Sequence, residues 1–306
     1  RLCEQGALGP GCGRRKEEAK VDEVREQPQV DMTPRRRTTE FVKRLRRTPE
    51  KQKPVLAEWC CEPNSKLSRI WLEGGGAAMR LGLPEYDLSI AEGVGRAESH
   101  MKEVLRRGRK LVIWVSLPCA PWSPWQHVNQ RSDEENHYRV VQAKRHSLRM
   151  LKKVLDTLER LKSEFPRKVQ AAFEWPRHCG GWWTALGRRV ATLLPEECLF
   201  DGCQYCLKGR NGYPVKKSWR VHTDIPELRQ TLNRRCRGEH WHDECRGEVA
   251  EKTGQYTAEM AIQIFRALLR DRWEQAEVNA GEDEEEEYEE ERRQADEEGS
   301  EASEGM

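Results

Sequence analysis

Residues Leu111 to Val115, LVIWV, are apolar at every position. A strand of that kind must be covered on both faces, which is the condition of a central strand in a mostly parallel sheet flanked by helices. The run then enters Ser116, Leu117, Pro118, Cys119, Ala120, Pro121, Trp122 and Ser123, where two prolines restrict the backbone around one thiol. In open α/β sheets ligands bind outside the carboxyl ends of the strands, so Cys119 is a candidate nucleophile. A free cysteine also serves as a small buried hydrophobe, and position alone leaves both roles open.

The flanking segments fit the same sheet. Val55 to Cys61 predicts a strand, Ser65 a cap for a helix through Leu67, Ile70, Trp71 and Leu72, and Gly74 to Gly76 its stop. A second strand is expected over Ala78 to Leu83, with Asp87 in the following turn and a helix near Glu98 to Arg107. This alternation predicts a parallel sheet. Tyr138 to Phe165 carries an apolar stripe at helical spacing, ended by Pro166. Val169 to Phe173 reads as another buried strand and delivers Glu174 at its end, beside Cys119 if the two strands are neighbours. Trp182 to Leu194 reads as a helix, and Leu199 to Tyr205 with Val215 to Thr223 as an antiparallel edge hairpin. Asp224 to Gln255 reads as an irregular insert, and Thr257 to Leu269 as a helix capped by Thr257.

The ends differ from this core. Residues 1–53 are rich in charge and poor in large apolar side chains and are expected to be mostly disordered; Arg35, Arg36, Arg37, Lys43, Arg44, Arg46 and Arg47 could neutralise phosphates or equally belong to a solvated linker. The domain is therefore placed over residues 54–270, with an acidic, disordered tail over 271–306. The net charge of +2 hides this segregation and says little about partners. Eleven cysteines without a small-scaffold spacing point to a reducing intracellular setting, cytoplasmic or nuclear. No apolar run approaches the roughly 18 residues of a membrane span. Arg1 in place of an initiating methionine suggests a segment of a longer product.

A second site is suggested by Cys203 and Cys206 in a C-x2-C pair and by Cys236, His240, His242 and Cys245 downstream. Six soft donors exceed the four that a tetrahedral zinc ion needs, although the spacing fits no common finger.

A cysteine after one buried strand and a glutamate after the next bring in a family. The stretch Pro118, Cys119, Ala120, Pro121, Trp122, Ser123 resembles the Pro-Cys catalytic loop of cytosine-5 DNA methyltransferases, and Phe173, Glu174, Trp175, Pro176 resembles their glutamate-bearing motif. LPCAPWSPWQ, FEWPRHC, DGCQY, VKKSWRV and RRCRGEHWH together are similar to a divergent methyltransferase-like domain of mobile-element polyproteins in some protists. The resemblance covers about residues 55–269 and implies a Rossmann-like S-adenosylmethionine-dependent methyltransferase fold. It implies Cys119 as nucleophile toward cytosine C6, Glu174 on the base edge, and Lys216 or Lys217 as a charge partner. It implies S-adenosylmethionine near Glu58, Cys60, Asn64, Ser65, Asp87 and Pro118, with Gln204 and Lys217 near a later strand motif. Nucleic acid is the implied partner, with a polyprotein or partner chain supplying target recognition. Trp59 to Ser65 contains no glycine where the family's cofactor loop is glycine-rich, and the insert is far smaller than the family's recognition domain. The residues thus leave two classes open: an enzyme of methyl transfer, and a non-catalytic nucleic-acid-binding module with a zinc-stapled insert.

Overall fold

The structure is a computed structural model and describes residues 34–123, 126, 133–245 and 247–269. The elements that frame the site are α1 (Pro34–Arg47), β1 (Val55–Trp59), α2 (Lys66–Glu73), β2 (Ala78–Leu81), α3 (Ala91–Arg106), β3 (Leu111–Val115) and α4 (Glu134–Glu164). They continue with β4 (Val169–Pro176), α5 (Ala185–Leu193), β5 (Glu196–Asp201), β6 (Ser218–Thr223), α6 (Pro226–Leu232), α7 (Gly247–Lys252) and a last helix, α8, over residues 258–269.

The protein is α/β, with one six-stranded mixed sheet in the order β2-β1-β3-β4-β6-β5. The first four strands are parallel, and β6 is antiparallel to both β4 and β5. The expected antiparallel pair therefore exists, but its strands are β5 and β6, and β6 lies between β4 and the edge strand β5. All five residues of β1 and of β3 are buried, as a central position demands. Two apolar cores cover the two faces. One packs α2, α8 and β6 side chains such as Trp71, Phe265 and Trp219, and the other packs α3 and α4 through Met101, Leu105, Leu151 and Leu158.

Three expectations change. Residues 34–47 form a helix, because Phe41, Val42 and Leu45 fall on one side of it and are buried in the first core. The basic run is thus the outer face of a packed helix, and the disorder expected through residue 53 does not hold over 34–53. The insert Asp224 to Gln255 is only partly irregular, since α6 and α7 lie within it. Helix α3 begins at Ala91, well before Glu98, because Val94 and Ala97 already belong to its buried stripe. The tail expected to be disordered and the first 33 residues lie outside the described residues. Among the described residues no helix is long and apolar enough to cross a membrane.

Candidate active site and metal cluster

From β1 the chain moves to β2 on one side and then crosses to β3 on the other, so the switch point of this sheet lies between β1 and β3. Crevices in such sheets form there, outside the carboxyl ends of the strands. The β1 loop (60–65) and the β3 loop (116–123) face each other across this point, and Ser116 N donates to Trp59 O at 3.1 Å. The Cys119 loop is pinned on its other side. Trp175 Nε1 donates to Leu117 O at 2.9 Å, and Trp122 Nε1 donates to Ser147 Oγ of α4 at 2.8 Å.

β3 and β4 are hydrogen-bonded neighbours in register, Val115 opposite Phe173, so Cys119 and Glu174 emerge at the same end of the sheet. Both line a pocket of about 210 Å³ together with Ser116, Pro118, Lys217, Trp219 and Tyr256. Glu174 is 8% exposed, and Tyr256 Oη donates to its Oε2 at 2.7 Å. Tyr256 in turn accepts from Trp114 Nε1 at 2.7 Å. Burial pushes the Glu174 carboxyl up to about 7, against the pull of the Tyr256 hydrogen bond and the Lys217 charge. Burial likewise raises the half-buried Cys119 thiol, the Glu174 charge adds to the rise, and Lys217 opposes it. Of the two candidate lysines, Lys217 is the one at the pocket, its Nζ donating to Thr253 O at 2.9 Å; Lys216 Nζ reaches Cys236 O at 3.5 Å instead.

Beside this pocket lies a cleft of about 840 Å³ that shares Cys60, Cys61, Glu62, Leu117 and Pro118 with its lining. Leu81, Leu83, Leu88, Pro118 and Met150 give it apolar walls, and Asp87 stands at its edge. Cys60 adopts φ +61°, the left-handed conformation that glycine takes most readily, so the glycine-free loop makes a glycine-like turn at a strained residue. At Gly82 a Cβ would lie 2.6 Å from the Cys61 carbonyl oxygen, so the β2 loop closes directly on the β1 loop. Burial pushes the Cys60 and Cys61 thiols up to about 12, which leaves both protonated and unreactive at neutral pH.

The six residues expected around a cofactor separate by role. Cys60, Asp87 and Pro118 line the larger cleft. Asp87 accepts from Ser89 N at 2.7 Å, which holds its carboxyl below the usual carboxylate range. Glu58 and Ser65 border the smaller pocket, yet their polar atoms are engaged at the start of α2. Glu58 accepts from Ser65 Oγ at 2.5 Å, from Ser68 N at 3.2 Å and from Ser68 Oγ, while Ser65 Oγ caps Leu67 N at 3.2 Å. Asn64 borders neither cavity and is approached by Gln255 Nε2 at 3.5 Å. The sequence reading missed Tyr256 and Ser68, whose partners lie 82 and 10 residues away; no local pattern marks either.

Of the six proposed metal ligands, Cys203, Cys236, His240 and His242 bring their ligand atoms within 4.8 Å of one another, and this cluster could hold a metal ion. His240 Nε2 and His242 Nε2 stand 3.8 and 3.3 Å from Cys236 Sγ. Cys206 and Cys245 do not join them. Cys206 ends the turn Gly202–Tyr205 in a left-handed conformation with its side chain exposed, and Cys245 Sγ lies 3.6 Å from Thr253 Oγ1.

Compared with known proteins, the chain matches no family model, no curated protein and no solved structure.

Proposed function

We propose that this chain transfers a methyl group from S-adenosylmethionine to cytosine in nucleic acid. The observation that carries the reading is the convergence of Cys119, Glu174 and Lys217 in one small pocket that adjoins a larger apolar cleft at the switch point of the sheet. Apolar walls, an acidic rim at Asp87 and the left-handed turn at Cys60 fit an adenosyl ligand there. When bound, S-adenosylmethionine supplies the methyl group.

The chain's own residues do the rest. Cys119 Sγ, as thiolate, adds to C6 of a cytosine that has left its stack, and the electron pair of the C5–C6 double bond moves toward N3. Burial raises the Glu174 pKa to about 7, so about half of the chains carry its proton at neutral pH, and those can give it to N3 as that charge develops. Its loss of that proton is eased by Lys217 and by the Tyr256 hydrogen bond. C5 then takes the methyl group as its bond to the cofactor sulfur breaks, the bonding pair leaving on that sulfur as a neutral thioether, and the N3 proton returns to Glu174; loss of the C5 proton to solvent restores the C5–C6 double bond and releases the Cys119 thiolate.

Zinc is the ion proposed for the Cys/His cluster, because a mixed thiolate and imidazole donor set of four suits it. Nucleic acid is the partner this reading requires, in cytoplasm or nucleus, and the mobile-element origin rests on the sequence motifs alone. A specific observation favours the other class, a binding module without chemistry: burial and Glu174 both hold the Cys119 thiol protonated. Trapping decides between them. With S-adenosylmethionine and 5-fluorocytosine in single-stranded DNA, duplex DNA or RNA, the fluorine blocks release of the base, so an active thiol is caught as a covalent adduct. Wild type is expected to be caught and Cys119→Ser not; cofactor binding without any adduct on any substrate defeats the catalytic reading.

A further inference from the structure

We infer that a zinc ion at Cys203, Cys236, His240 and His242 is a structural staple that holds in place the wall of the Cys119 pocket carrying Lys217 and Tyr256. The inference rests on the zinc assignment and not on methyl transfer. A tetrahedron built on zinc bonds of about 2.0–2.3 Å has edges of roughly 3.3–3.8 Å. The two Cys236 Sγ to histidine Nε2 separations already match it, and the whole set lies within 4.8 Å, a contraction of about 1 Å from closure. Four protein ligands leave no open position for substrate or water, which is the mark of a structural site.

The loop that brings three of these ligands together has almost no apolar core of its own and is held by polar contacts toward its ends, Asp201 N donating to Arg234 O at 3.0 Å and Asp243 N to Pro214 O at 2.8 Å. Between Asn233 and Cys245 only Cys236 is buried. Gly238 turns the chain at φ +87°, and its N–H donates to Cys236 Sγ at 3.3 Å, orienting the sulfur as an outer partner orients a ligand. A segment without a core of its own gains most from a metal.

Both branches of the pocket wall start at the cluster. Cys203 sits in the turn Gly202–Tyr205. At one end of that turn Gly202 N donates to Lys217 O at 2.8 Å, fixing the backbone from which Lys217 reaches the pocket. At the other end Tyr205 O accepts from Thr257 Oγ1 at 2.6 Å, and the next residue back, Tyr256, donates to Glu174. The second cysteine closes the same circuit. Cys236 N donates to Asp201 Oδ2 at 2.8 Å, and Ser218 Oγ, next to Lys217, donates to Asp201 Oδ1 at 2.5 Å. An ion that clamps Cys203 to Cys236 therefore locks the strand end that carries Lys217 and the strap that carries Tyr256.

The test uses the full chain. Metal analysis after exhaustive dialysis should find about one zinc per chain in wild type, Cys206→Ser and Cys245→Ser. Cys203→Ser should weaken zinc binding about 100-fold or more, beyond what outer partners contribute. Hydrogen exchange before and after chelation of the wild-type protein is the second measurement, and it decides the matter if Cys203→Ser does not fold. Residues 202–217 and 253–257 should exchange about tenfold faster or more without the ion, while β1 and β3 keep their protection. A folded chain without metal, zinc held equally by Cys203→Ser, or unchanged exchange at 253–257 after chelation overturns the inference. A chain that passes these tests and traps no cytosine keeps the staple and loses methyl transfer.

Discussion

Glu58 and Glu174 are both buried carboxylates at the carboxyl ends of parallel strands, two strands apart in one sheet, and their surroundings are opposite. Glu58 receives three hydrogen bonds from Ser65 and Ser68, donors delivered by the helix that follows its own strand. Glu174 receives one, from a tyrosine brought from the far end of the domain, and burial raises its pKa to about 7. A carboxylate saturated by donors is a structural joint. One left short of donors in a pocket is poised to exchange a proton.

The sharpest way to break this contrast is to remove each carboxylate. Glu58→Ala strands the buried Ser65 and Ser68 donors and should cost about 2–5 kcal/mol in urea unfolding, at about 1–3 kcal/mol for each buried donor left unpaired. Glu174→Gln should cost little or stabilise, since it removes an expensive buried acid. Equal losses at the two sites would erase the distinction.

The pH dependence of stability tests the Glu174 side of the contrast next. The Glu174 pKa in the folded chain lies above its value of 4.5 in an open chain, so the folded state holds this proton more tightly. The stability it contributes is complete below about pH 4.5 and is lost as pH rises to about 7, up to about 3 kcal/mol in all. Comparing wild type with Glu174→Gln across pH 4–8 should show that fall only in wild type; parallel curves would show that folding does not raise the Glu174 pKa.

In chemistry the order reverses. Glu174→Gln should slow capture of 5-fluorocytosine by about 10² or more, as when a preorganised charge-stabilising group is lost. A capture rate left at the wild-type value would show that the donor-poor carboxyl has no chemical use. Tyr256→Phe should lose about 1–3 kcal/mol, the worth of a hydrogen bond to a charged group, and should lose more at pH 8 than at pH 5, because only the ionised Glu174 needs the donor. The smallest effect is expected at Thr257→Ala, where loss of the cap on Met260 N should cost about 1 kcal/mol by thermal unfolding. A capture rate that falls with it would tie the strap at Tyr256 to the pocket.

What the sequence determined by itself is local. An unbroken apolar run makes β3 a central strand, serine and threonine at the right offset cap α2 and α8, and the alternation of strands and helices makes the class α/β, because each of these is decided within a few residues of chain. The same locality brought Cys119 and Glu174 into view as the groups that follow two buried strands. Only the tertiary structure decided that those strands are neighbours, that Lys217 and not Lys216 reaches the pocket, and that Glu58 and Ser65 spend their polar atoms on a helix start. It also chose four of six candidate metal ligands, since Cys206 and Cys245 share the spacing but not the side-chain direction. The helix over 34–47 is hidden in the sequence for a related reason: Phe41, Val42 and Leu45 are too few to outweigh its charge in composition, yet they suffice once the packed sheet offers them a surface to cover.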